Sequence, residues 1–178
     1  MSDLVLEMSK VTFDRIGQAI HDTFSSVLSL KLEVLNVDLG PLPNAPKSIS
    51  GFVILRNPEV QGTFSINFPS ETALQIFSAF YGSKIEQIDE RVLEGVGEIT
   101  NMVYGCFKKG LNEEGFDLQM FIPFIMIGSE FNHLKERGSK NAVNIHFGSS
   151  VGNFWVELNM QKAQELKATS KKSTRKAA

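Results

Sequence analysis

Glu94, Glu98 and Asn101 stand four and three residues apart in the segment Asp89 to Lys108. On a helix, that spacing projects all three side chains from one face. Two carboxylates accept charge-assisted hydrogen bonds from a cation, and a carboxamide presents a donor and an acceptor on one planar group. Such a face offers two acceptors to a cation and one group that both donates and accepts. Gly105 continues the face, Gly97 borders it, and Lys108 lies one turn further on. A glycine inside a helix costs about 1 kcal/mol relative to alanine, so Gly95, Gly97 and Gly105 need a reason. Close approach of a partner's backbone and tight packing against a neighbouring helix both supply one, and the residues alone leave the two open. Glu94 and Glu98 are like charges one turn apart, which is mildly unfavourable in an isolated helix. That is a second, weak hint that the face is arranged for something other than stability.

The elements that must position this face follow from periodicity. At about 100° per residue, Val92, Val96, Ile99, Val103, Cys106 and Phe107 fall in one sector of roughly 100° on the other side of the helix. That stripe predicts a core face and assigns Cys106 to packing rather than to nucleophilic chemistry. The helix is expected from near Asp89 to around Gly115. Phe13, Ile16, Ile20, Phe24 and Val27 recur at helical spacing and predict an earlier helix from about Thr12 to Leu30. Strands are expected at 31–39, 48–56 and 60–68, with a proline-rich loop at 40–46 that excludes regular pairing. A short helix opens at Pro69-Ser70-Glu71 and is stopped by Gly82. Three more strand-like runs follow at 116–128, 141–149 and 153–160, with a polar loop at 129–140.

This order is a helix-plus-three-strand unit used twice. The two long helices even begin alike: Gly17-Gln18-Ala19-Ile20-His21 against Gly97-Glu98-Ile99-Thr100-Asn101. The expected fold is α/β, in the α+β sense: one pseudo-symmetric domain over residues 1–161, its sheet halves packed against paired long helices. Gln18 and His21 do not repeat the Glu-x-x-Asn pattern, so the first half reads as scaffold. Trp155 alternates with Phe154 and Val156, which predicts a partly exposed last strand whose edge is open to a second copy.

Composition narrows the function classes. The 178 residues carry a formal charge of −2, which conceals an asymmetry. Residues 162–178 hold six Lys/Arg and one Glu, leaving twelve basic and nineteen acidic groups in the rest, a balance of −7. An acidic body lacks the clustered basic charge that nucleic acid needs. The basic tail has no apolar periodicity and reads as a disordered, solvated end. The longest apolar run, Met120 to Ile127, is too short to span a bilayer, and the first residues show no secretory pattern. A single cysteine forms no internal disulfide, in keeping with a reducing cytoplasm. His21, His133 and His146 are isolated from one another in sequence, so no metal site is expected.

The pattern Glu94-x3-Glu98-x2-Asn101 resembles the acidic-or-Ser-x3-Glu-x2-Asn signature of the CheC, CheX and FliY chemotaxis phosphatases. Its surroundings resemble CheX in particular. Gly62-Thr63-Phe64-Ser65-Ile66-Asn67-Phe68-Pro69 precedes Ala73-Leu74, Ile88-Asp89-Glu90 leads in, and Asn101-Met102-Val103-Tyr104-Gly105 closes the motif. Pro123 and Gly128 match a downstream strand of that family. The likeness is strongest from about Gly51 to Gly128. Members usually have Asp or Ser where this chain has Glu94, which leaves the role of Glu94 open. CheC-like members can carry two such motifs, whereas CheX-like ones keep one.

The resemblance implies a phosphatase acting on the phosphoaspartate of a CheY-type response regulator. Asn101 would orient the attacking water, and Glu98 would anchor the partner's active-site lysine. Glu94, Gly97, Gly105 and Lys108 would belong to the contact with the partner. No cofactor of the chain's own is implied, because the response regulator brings its own Mg²⁺. The family is also one of dimers, which implies a homodimer. A non-catalytic adaptor of the same fold, bound to a response regulator or to the flagellar switch, is the competing reading.

Overall fold

A computed structural model of the chain describes residues 3–40, 48–119, 121–128 and 142–163. The elements are α1 (Asp3–Leu28), β1 (Glu33–Leu39), β2 (Ser48–Arg56), β3 (Val60–Pro69), α2 (Ser70–Tyr81), α3 (Glu90–Glu113), β4 (Phe124–Ile127), β5 (Ala142–Ser149) and β6 (Gly152–Lys162). The six strands form one antiparallel sheet in the order β1-β5-β6-β3-β2-β4. Exchanging the first three strands with the last three reproduces this order read backwards. The sheet thus has a pseudo-two-fold axis between β3 and β6, as the repeated unit requires. The expected polar loop at 129–140, most of the loop at 40–46 and most of the basic tail lie outside the described residues.

All three helices pack on one face of the sheet, which makes a two-layer domain. That face is aromatic. Phe24 of α1 stacks on Phe154 at 4.7 Å, Phe77 of α2 meets Phe68 edge-on, and Phe107 of α3 stacks on Phe64. Burying such rings removes 150–250 Å² of surface each, worth a few kcal/mol per side chain. The other face carries Ser50, Ser65 and Asn67 at its centre, and the Asn67 amide bonds both serines.

Several boundaries differ from expectation. Helix α1 begins at Asp3 rather than near Thr12, because no Gly or Pro interrupts residues 3–12. Within its predicted stripe Ile16, Ile20 and Phe24 are buried, whereas Phe13 is exposed. The strand expected over 116–128 shrinks to four residues, since Pro123 has no N–H for a ladder and β4 starts after it. Strand β6 is central rather than an edge: it pairs with β3 on one side and β5 on the other, and Trp155 is buried. The edge strands are β1 and β4.

Candidate functional site

Helix α3 begins where Asp89, in extended conformation, accepts a hydrogen bond from the Val92 backbone N–H. This cap satisfies one of the amides left unpaired at a helix start. The Arg91 guanidinium bonds the same carboxylate, and that bond, with the cap, holds Asp89 below the ordinary carboxylate range. Helix α2 ends at Gly82, whose φ of 64° lets the chain leave in the left-handed conformation.

Two close approaches fix the azimuth of α3. A Cβ on Gly51 of β2 would collide with the Thr100 side chain, and one on Gly95 would collide with the Phe77 ring. Thr100 is fully buried, its hydroxyl donating to the Val96 carbonyl. Tyr104 is also buried and donates to the Gln119 carbonyl at 2.8 Å, and burial pushes its phenol up to about 12. With Thr100, Tyr104 and Leu111 facing inward, the opposite side of α3 must face outward.

That outward side is the one carrying the candidate residues. Glu94, Glu98 and Asn101 are exposed, while Gly97, Gly105 and Lys108 are half-buried. Among the described residues, the side chains of Glu94, Glu98, Asn101 and Lys108 make no hydrogen bond or ion pair, so their polar groups are free for another molecule. Gly105 has open space where a side chain would sit, and a Cβ on Gly97 would make only ordinary contact with Ile125 at 3.7 Å. The glycine question therefore divides: Gly95 serves packing between α2 and α3, whereas Gly97 and Gly105 leave the exposed face low. No group of three His, Cys, Asp or Glu side chains among the described residues forms a metal-ligand set.

Cys106 is exposed, contrary to the stripe expected from periodicity. The buried sector extends through Thr100, Tyr104 and Leu111, so it is centred on the side of Val103 away from Cys106. Three residues that the sequence reading left out of the site also reach it. Phe80 and Tyr81, at the end of α2, and Met102 of α3 line a groove of about 490 Å³ together with Glu94, Gly97 and Glu98. The available signal was the Phe-Tyr pair just before the helix-stopping Gly82.

The first helix repeats this geometry. Residues 17–21 and 97–101 share one burial pattern position by position: half-buried, exposed, buried, buried, exposed. In the same alignment the exposed Asp14 falls opposite Glu94. On α1, however, Gln18 donates to Asp22 at 2.7 Å and His21 sits 3.5 Å from the same carboxylate.

Six antiparallel strands related by a pseudo-two-fold, with two long helices side by side, define a CheC-like domain. The family model described as Chemotaxis phosphatase CheX matches residues 49–148, and the chain belongs to that family. Chemotaxis protein CheX from Vibrio vulnificus superposes with a TM-score of 0.74 at 28% identity, over 84% of this chain and 99% of that one. A CheC-like superfamily protein from Shewanella sp. PV-4 gives 0.73 at 23% identity, over 85% and 97%. The CheY-P phosphatase CheX of Thermotoga maritima is 32% identical over 72 residues, covering 40% of this chain. The match spans 46% of that relative's length.

Proposed function

We propose that the chain accelerates hydrolysis of the phosphoaspartate on a CheY-type response regulator, acting in the cytoplasm. The observation that carries this reading is the exposed, unpartnered Glu98–Asn101 pair on α3, inside the segment that matches the CheX family. A CheX relative from Borrelia burgdorferi, solved in complex with CheY, BeF3 and Mg²⁺, supports the choice of partner. That structure superposes at a TM-score of 0.67 with 17% identity, over 84% of this chain and 97% of that one.

An acyl phosphate is already an activated bond, so the chemistry needs an aimed water more than a new nucleophile. The Asn101 carboxamide accepts a hydrogen bond from the water through its oxygen and donates through its nitrogen, holding it in line with phosphorus. The response regulator supplies the Mg²⁺ that neutralises charge on the phosphoryl oxygens. Glu98, one turn earlier, accepts a charge-assisted bond from the regulator's active-site lysine and sets how deeply α3 inserts. The low surface at Gly97 and Gly105 admits the regulator's loops, and Lys108 lies at the rim. Release of phosphate from a phosphorylated response regulator, followed with and without the chain, tests the reading. Acceleration supports it, and binding without acceleration supports an adaptor instead.

The same proposal includes a homodimer. Its seat is the edge strand β1, which exposes Val34, Leu35, Val37 and Leu39, in place of the central β6. Light scattering on the purified chain decides between one copy and two.

A further inference from the structure

We infer that the groove beside Glu98 is the specificity pocket of this chain, taking a segment of the response regulator in which an apolar side chain stands next to a basic one. The inference rests on the function proposed above. It begins from three exposed apolar side chains: Phe80, Tyr81 and Met102 are 46%, 41% and 39% exposed, yet they line one groove, with the Tyr81 hydroxyl held by the Arg91 carbonyl. Scattered surface apolar residues need no explanation, but a concave cluster does.

The groove is not purely apolar. Glu94 and Glu98 share its wall, and neither carboxylate has a partner among the described residues. An apolar floor with two unpaired carboxylates on one flank is complementary to a hydrophobic side chain beside a cation. It disfavours an acidic segment through like charge. The groove also continues into the reactive face, since Glu98 belongs to both and Asn101 lies one turn along the same helix. A regulator loop that delivers its lysine to Glu98 therefore passes over Phe80 and Met102.

This gives Glu94 a role as the second wall charge. It also explains why the longer carboxylate is tolerated where the family usually has Asp or Ser: the residue faces a partner groove rather than the reacting phosphoryl group. Phe80 and Met102 are thus positions at which partner choice is set, whereas Asn101 sets the rate.

The test uses the full chain and a panel of CheY-type response regulators loaded with beryllofluoride, with affinity measured by titration. Phosphate release from the phosphorylated forms is followed in parallel. Phe80→Ser combined with Met102→Gln is expected to weaken binding and raise KM about tenfold or more while leaving kcat within twofold. Asn101→Ala is expected to do the reverse. Unchanged affinity in the double variant, with its circular dichroism intact, overturns the pocket while leaving the phosphatase reading standing. If the chain binds a regulator without accelerating phosphate loss, the phosphatase reading fails alone, and the affinity comparison still decides the pocket. A chain that binds no regulator in the panel overturns both. Loss of self-association in the double variant, with regulator affinity unchanged, assigns the groove to a second copy and also overturns the inference.

Discussion

Helices α1 and α3 are the same device built twice, yet only one of them presents free chemistry. Residues 17–21 and 97–101 bury and expose the same positions in the same order. The difference lies in what the exposed side chains are doing. Gln18 is occupied by Asp22, with His21 close to the same carboxylate, whereas Glu98 and Asn101 have no partner among the described residues. A second difference is the neighbourhood. Beside Glu94, Gly97 and Glu98 of α3, the end of α2 adds a wall of Phe80 and Tyr81, whereas α1 contributes Val27 to the same groove. The pseudo-two-fold relates the packing of the two helices, while the side chains at two positions and the neighbouring end of α2 distinguish their exposed faces.

That contrast can be broken in several places, and after Asn101 the largest effect is expected at Glu98. Glu98→Ala removes the anchor for the partner's lysine and should lower kcat/KM by about 10²-fold, read by phosphate release under single-turnover conditions. Next come the glycines, which sort by what a methyl would meet. Gly95→Ala drives a Cβ into the Phe77 ring and should destabilise the fold by about 1–3 kcal/mol in urea unfolding. Gly105→Ala meets nothing and should stabilise the chain by about 0.5–1 kcal/mol. The same substitution should weaken regulator binding several-fold, because the added methyl stands where the partner's backbone approaches. A loss of stability without a loss of affinity would mean that Gly105 serves packing. The smallest effect is expected on α1: Gln18→Ala with His21→Ala should leave phosphate release within twofold, and a larger change would make that face a second working site.

Much of this was legible before any coordinates. The periodicity of Val92, Val96, Ile99 and Val103 fixes the inward side of α3, and so places Glu94, Glu98 and Asn101 together on the outward one. The repeat of helix and three strands carried the pseudo-symmetry, because each half buries its apolar stripe in the same way. Cys106 lies outside the buried sector because that sector is centred towards Thr100, Tyr104 and Leu111, and periodicity alone does not report which neighbour covers a stripe's edge. The alternation around Trp155 describes the two faces of its strand but not the strand's rank in the sheet, so it does not reveal that β6 is central. Strand order is settled by long-range pairing, here by β3 and β5 closing on either side of β6. The groove is not legible in the sequence for a related reason: its walls come from α2 and α3, which meet through Gly95 and Phe77, with Val27 of α1 completing the lining.

In the proposed mechanism Asn101 aims the water that cleaves the acyl phosphate. Its most direct test is the rate of phosphate loss from a phosphorylated CheY-type response regulator in the presence of Asn101→Ala, at concentrations where beryllofluoride-loaded regulator shows the variant to be fully bound. The account predicts that the rate falls to the regulator's own spontaneous value while affinity stays within twofold of the unaltered chain. Retained acceleration at saturating variant would contradict it.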